Sequence, residues 1–565
     1  MKSKISKLLP VIFIILAGVW GIKAFFVPDF YTSHDGPAHL SRLAQYVQQL
    51  RDGQLPPRWS STLYGNLGYP IFVYSYHLPF AVGAVFYNLG TKLHESIELV
   101  MGLGYLVSGI GMYYYLRQFF GKWASLVGAV FYLYAPYRFS LLFVRAAIGE
   151  TTALAFLPLV LLFVTKYIKS KRPRDLALAA ICLSGSLTSH PLFLPMYVPI
   201  LLLYTAVPIA GDIKQRVMSA LKVIFLGVLI SSFYVLPLFF ERKYVSFDEV
   251  YTNQAPNHLI TLSQMWHSPW GYGFSMPGST IDDMSFQIGL AQIMVLVMYV
   301  LVLIVGVAKG KTKDKHLGYY YLLIFGIAVM VMHDNPVTRW VWYHVPGLKV
   351  IDFPWRFLGM TTLAASYMVA YVVSRARMKP VVAMGLLVAA VFANRNHLNI
   401  NLPERIDEEK VFSDTGTTAY ANEYRPVWRA TSLRNTIADE VESQGDPSRW
   451  QLISTKSNLI KFETDFEQPT TMQVNSLYFP GWRAYEITEG ERKDLALGER
   501  LSIVKTDTYK YKTSEIVGTM QVETAPGKHI YELRFGETPL RRLGNLLSVT
   551  AVIYALLCIF AKKHK

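Results

Sequence analysis

The stretch "LLPVIFIILAGVWGIKAFF" (residues 8–26) decides the fold. It is apolar throughout except for Lys23 near its end, and Lys2, Lys4 and Lys7 precede it. About 20 such residues cross the hydrocarbon of a bilayer as a helix. Its exit, "FFVPDFYTSHDG" (25–36), lacks a small-x-small cleavage site, so the stretch reads as a retained anchor rather than a removable leader. Comparable apolar runs recur at 217–240, 291–307 and 545–560. Of the 565 residues, 52% are hydrophobic and only 17% charged, below the roughly 25% charged of soluble domains. The chain is expected to be a polytopic membrane protein.

The net charge of +16 points to orientation rather than to nucleic acid. Lys169, Lys171, Arg172 and Arg174 share one short loop, and Lys309, Lys311, Lys313 and Lys315 another. Arg375, Arg377 and Lys379 fill a third, and Lys562, Lys563 and Lys565 end the chain. Basic residues collect in short cytoplasmic loops. Requiring every basic loop to be inside gives twelve spans, near 8–26, 96–118, 123–141, 151–168, 175–189, 191–209, 217–239, 288–308, 317–333, 355–374, 380–394 and 543–560. Both termini are then cytoplasmic. The parity holds only if the short stretch 79–89, interrupted by Gly83, is interfacial or re-entrant. The two cysteines, Cys182 and Cys558, lie in apolar runs and offer no disulfide framework or metal ribbon.

Segments 27–95, 241–287 and 395–543 are left outside. The last is polar and alternates in runs such as "TMQVNSLYF" (471–479), "RLSIVKTDTY" (500–509), "GTMQVETA" (518–525) and "HIYELRFG" (529–536), which read as strands. Its start, up to about Ser457, reads as irregular or helical. The expected organisation is a helical membrane module over 1–394 and a C-terminal extracytoplasmic β-rich, sandwich-like domain over 395–542. A last span and basic tail occupy 543–565.

The spans carry few ionisable groups, and Lys23 can snorkel to the interface. The distinctive polar residues gather at outer ends: Asp35 and His39 in "HDGPAHLSRLAQYVQQLRDGQLPPRW" (34–59), Arg145 and Glu150, His190 in "TSHPLF" (188–193), His267 in "MWHSPWGYG" (265–273), Asp282–Asp283, and Arg356 in "DFPWRF" (352–357). Each has a structural reading. Asp35 precedes Gly36-Pro37 and suits the cap of a helix over 37–51. That helix carries Leu40, Leu43, Ala44, Val47 and Leu50 on one face, the stripe of a helix lying on lipid or protein. Arg145 and Glu150 suit a loop-closing ion pair, His39 a surface histidine, His190 a turn, and the two aspartates a solvated loop. No HExxH, Walker loop or GxSxG is present. Taken together, though, two carboxylates with Arg and His at one depth suit a single reaction. A carboxylate accepts a proton from an acceptor hydroxyl, and Arg holds a departing phosphate with its fork of donors. An amphipathic-lined groove made by 37–51 and 79–89 admits a lipid-borne substrate.

The arrangement resembles the integral-membrane GT-C glycosyltransferases, and within them the bacterial branch of membrane proteins labelled "6-pyruvoyl-tetrahydropterin synthase-related", a label that describes no pterin chemistry in these chains. The residues carrying the likeness are 34–59, "YGNLGYPIFVYSYHLPF" (64–80), "RAAIGETTALAFLPL" (145–159), "TSHPLF", "FPWRF" (353–357) and "YFPGWRAY" (478–485). The resemblance implies that the acid after the first span, Asp35, is the catalytic base, with Glu150 loosely at the second acidic position. It also implies a sugar on polyprenyl phosphate as donor. Substrate contacts are expected from His39, Arg145, His190, His267 and Arg356. Many relatives carry paired acids where this chain has Asp35-Gly36; no metal ligand is assigned, and a divalent metal stays open. The expected partners are membrane lipid and an envelope glycan, lipid or protein acceptor, at an extracytoplasmic site of the cell membrane. Two alternatives remain: a lipid-linked glycan transporter or flippase, and a non-catalytic envelope assembly protein.

Overall fold

The computed structural model describes residues 2–251, 254–308, 315–419, 421–429, 441–504 and 518–560. Lys309, Lys311, Lys313, Lys562, Lys563 and Lys565 lie outside the described residues, as does the 505–509 part of one expected strand.

All twelve expected spans fall on helices, among them Lys2–Gly21, Leu93–Leu116, Ile148–Ser170, Pro173–Ser189, Phe193–Tyr204, Leu290–Ala308, Lys315–Met332, Leu358–Arg375, Lys379–Ala393 and Pro539–Phe560. Far fewer are long enough to cross. Among the described residues five are both long and apolar, or seven if each of two bent pairs counts as one span. The expected count of twelve is therefore not reached on length and hydropathy. One bent pair breaks by 48° between Lys122–Leu133 and Pro136–Val144, the other by 84° between Ile213–Ile230 and Ser232–Phe240. The first break has a plain cause: Pro136 lacks an amide donor and disfavours helical backbone at Ala135, whose ψ is 139°.

The helices pack closely where glycines let them. In Leu93–Leu116, Gly104 lies against the backbone of Thr152, where a Cβ would sit 3.4 Å from its Cα, and a Cβ on Gly109 would meet Leu133 at 2.8 Å. Small residues at such contacts bring backbones together in membranes. Here Gly104 seats the start of Ile148–Ser170, which carries Glu150.

The spans are less free of ionisable groups than the sequence reading held. Glu98 in Leu93–Leu116 is buried, and so is Arg138 in the turn Pro136–Phe139. Arg138 lies over the rings of Tyr105 and Tyr132 and donates to the Ser108 hydroxyl at 3.1 Å.

The first loop is enclosed by protein. Phe30–Tyr31 pairs antiparallel with Pro403–Glu404. The helix Gly36–Arg51 buries both its apolar stripe and polar residues such as Arg42, Gln45 and Gln49, so it packs in protein rather than lying on lipid. Leu78–Asn88, 11 residues long, packs on it. The segment before the first C-terminal strands wraps onto this loop: Arg42 donates to the Thr418 carbonyl at 2.5 Å and the Gly65 amide to the Thr415 carbonyl at 2.8 Å.

The C-terminal region is β-rich, as expected. One antiparallel sheet runs Val441–Ser443, Thr470–Leu477, Thr519–Thr524, Leu501–Ile503 in spatial order. The other runs Trp450–Lys456, Leu459–Phe466, Gly527–Phe535, Trp482–Thr488, Glu491–Leu495. Their buried residues, including Phe462, Val474, Ala484, Val522 and Leu533, join one hydrophobic cluster with the helical module. Two ion pairs hold the junction of this region with the last helix: Arg58 to the half-buried Glu537 at 3.1 Å, and the buried pair Arg541 to Glu241 at 2.7 Å.

Candidate active site

The backbone brings the first loop against the turn that carries Arg145 before any side chain is considered. The His34 amide donates to the Val144 carbonyl at 3.1 Å and the Asp35 amide to the Arg145 carbonyl at 2.9 Å. Arg145 leaves a π-helical turn over Ser140–Val144, its amide bonding five residues back to Ser140. Ala146 then takes φ +52°, a left-handed conformation that a non-glycine residue rarely adopts. That kink ends one helix and starts the next, so Glu150 arrives in the first turn of Ile148–Ser170.

Asp35 sits at the start of Gly36–Arg51, yet its side chain caps no helix amide. Instead its Oδ2 accepts from Arg145 Nη2 at 3.2 Å. Arg145 Nη1 donates to Glu150 Oε2 at 3.0 Å, and Arg356 Nη1 donates to the same oxygen at 2.5 Å. Tyr137 donates its hydroxyl to Glu150 Oε1. Arg356 also grips Asp352 with two bonds of 2.8 Å, from Nε and Nη2. Trp355 lies beneath both guanidinium groups, 5.0 Å from Arg145 and 5.7 Å from Arg356. Three carboxylates against two guanidinium groups leave the cluster one negative charge in excess.

Exposure separates the acids. The Glu150 side chain is 6% exposed and that of Asp352 17%, whereas that of Asp35 is 38% exposed. Burial pushes Asp35 up, but the Arg145 guanidinium, with Arg356 farther off, outweighs it and holds the carboxyl below its ordinary value. Burial likewise raises Asp352, and the Arg356 ion pair and hydrogen bonds bring it down. Around them stand histidines kept neutral. Burial lowers His39 to about 3, and burial with the nearby Arg356 lowers His190 to about 4. Tyr76 joins the two: its ring stacks on His190 at 5.6 Å, and its hydroxyl lies 3.3 Å from His39 Nε2.

The family model described as "6-pyruvoyl-tetrahydropterin synthase related domain; membrane protein" matches residues 73–401, more than half of the chain. The chain belongs to this membrane protein family. No curated protein matches it. Among solved structures it is similar to the arabinofuranosyltransferase AftD from Mycobacteria, at 14% identity and a TM-score of 0.45, over 69% of this chain and 26% of that one. It is also similar to the Archaeoglobus fulgidus oligosaccharyltransferase AglB in complex with an inhibitory peptide and a dolichol-phosphate, at 12% identity and a TM-score of 0.43, over 75% of this chain and 61% of that one. The chain thus spans about a quarter of the first protein's length and about three fifths of the second's.

In this family member Asp35, His39, Arg145, Glu150, His190 and Arg356 come together. His267 does not: it is exposed at the end of Leu262–Trp266 and shares no hydrogen bond or ion pair with the others. Asp282 is buried rather than solvated; it accepts from Gln264 and from the Met276 amide, each at 2.8 Å, and so ties a loop. Sequence reasoning missed Asp352, Tyr137 and Tyr76. Asp352 had a signal, being four residues before Arg356; the tyrosines, two among 36, had none.

A divalent cation of the magnesium kind needs several oxygen ligands converging on one point. Here oxygens of all three acids already accept from guanidinium nitrogens, and no group of three or more His, Cys, Asp or Glu among the described residues is arranged to hold a metal. The donor set does not fit such an ion.

Proposed function

We propose that the chain transfers a sugar from a polyprenyl-phosphate-linked donor to an extracytoplasmic acceptor, an envelope glycan, lipid or protein, with Asp35 as base. The observation that carries this reading is the division of labour among the acids. Glu150 and Asp352 are spent on arginines, while Asp35 is ionised, oriented by Arg145 and open to an incoming hydroxyl.

In the step proposed, the acceptor oxygen bonds to the anomeric carbon as the bond from that carbon to the phosphate oxygen breaks. The hydroxyl proton passes to Asp35, and the polyprenyl phosphate leaves with the electron pair. Positive charge develops at the anomeric carbon in such a transition state, and the excess negative charge of the cluster opposes it favourably. Arg145 and Arg356 act mainly by holding the acids in place; Arg145, bonded to Asp35, is the cation nearest the reacting atoms.

The test uses the full chain in nanodiscs with a panel of synthetic polyprenyl-phosphate monosaccharides and solubilised envelope material. Appearance of label in a new covalent product supports transfer. Movement of the intact lipid-linked sugar between leaflets of a vesicle, with no product, assigns the chain to transport instead.

A further inference from the structure

The helix Pro336–His344 begins four residues after the span Lys315–Met332 ends. Pro336 opens it, and Asn335 caps it by accepting from the Thr338 amide at 3.0 Å. Thr338 and Trp342 then reach back to the span: the Thr338 hydroxyl donates to the Met330 carbonyl at 2.7 Å, and the Trp342 indole to the Val331 carbonyl at 2.8 Å. The last carbonyls of a helix lack intrahelical donors, and here two receive them from an element folded back across the span's end. Its other side presents Val337, Trp340 and Tyr343, 63%, 60% and 42% exposed.

A second segment joins it edge to edge. The Ile260 amide donates to the Met332 carbonyl and the Asp334 amide to the Ile260 carbonyl, both at 2.9 Å. Beyond Ile260 the chain exposes Trp266, Met276 and Ile281, the last at 83%. The inner side of this loop reaches the acid–arginine cluster. The Tyr272 carbonyl lies 3.2 Å from His34 Nε2, and Trp355 donates to the Ser275 hydroxyl at 3.3 Å.

Large apolar side chains exposed together on adjoining segments mark an interaction surface. The partner is identified by continuity. The exposed face starts where the span stops, beside Met330, which is itself 51% exposed on the span's outer surface. It also carries Trp and Tyr, the residues that settle at the membrane–water boundary. We propose that residues 260–281 and Pro336–His344 form one membrane-docking skirt, inserting these apolar side chains at the boundary of headgroups and acyl chains. The docking stands independently of the transfer reaction; only its consequence, that a lipid-borne donor meets Asp35 at the bilayer surface, rests on that reading.

The test needs no activity. In the full chain with Cys182→Ser and Cys558→Ser, single spin labels are placed through Ile281→Cys, Trp340→Cys and, as a water-facing control in the β-rich region, Leu497→Cys. In phosphatidylcholine–phosphatidylglycerol nanodiscs the ratio of oxygen to nickel-chelate collisions is expected to be several-fold higher at 281 and 340 than at 497. Ratios equal to the control overturn the proposal, as does exclusion of both agents, which marks a protein cover. Quenching of intrinsic fluorescence by brominated lipid gives a second reading in minimally altered protein. The combined Trp266→Phe and Trp340→Phe variant should lose part of the quenchable signal, and an unchanged signal counts against docking.

Discussion

Asp35 occupies a position where an aspartate ordinarily bonds the first amides of a helix, and its carboxylate turns away to Arg145 instead. That choice has a pH signature. Because the Asp35 carboxyl is held below its ordinary value, activity should stay level from neutral pH down past that value, with the acid limb lying lower still. In Arg145→Gln the burial that raises the group is less opposed, so the acid limb should move upward; a pH profile of kcat/KM checks this. Sequence alone left both capping and catalysis open for Asp35. The structure places the carboxylate off the helix amides and on Arg145, 110 residues away. Asp352 was legible only by its spacing of four residues from Arg356, and the pair itself forms across an irregular turn.

Elements place these groups through a few close approaches. A Cβ on Gly149 would lie 2.6 Å from Tyr76 Cζ and 2.7 Å from the Ser189 carbonyl oxygen. Gly149→Ala therefore forces apart the Tyr76–His190 stack beside Glu150. Overpacking of this kind costs about 1–3 kcal/mol, so thermal unfolding in detergent should show lowered stability, together with reduced turnover. Element identity was legible in advance, because apolar runs and Pro breaks are local signals. The lengths of the spans were not: the bends at Pro136 and Ser231 fall inside expected spans, and Phe193–Tyr204 is shorter than the span expected at 191–209. The amphipathic stripe at 37–51 also read correctly as a stripe, but protein rather than lipid covers it.

At the scale of the whole molecule, Arg58–Glu537 ties the end of the β-rich region to the first loop, and Arg541–Glu241 ties the last helix to the end of Ser232–Phe240, the Arg541 and Glu241 side chains being 0% and 4% exposed. Removing one partner of a buried pair costs about 3–5 kcal/mol. Glu241→Gln should thus lower the unfolding temperature clearly. Arg449→Gln, which breaks the exposed pair with Glu467, should change stability by no more than about 1 kcal/mol. The motif "LPPRW" (55–59), which supplies Arg58, stood out in the sequence, but its pairing with Glu537, 479 residues away, is a property of the fold. The central claim, that one open carboxylate in the first loop takes the acceptor proton, is tested most directly by kcat in Asp35→Asn measured on purified protein with saturating polyprenyl-phosphate sugar. The account predicts a loss of about 10²–10⁴-fold with donor binding retained; turnover at the wild-type rate would contradict it.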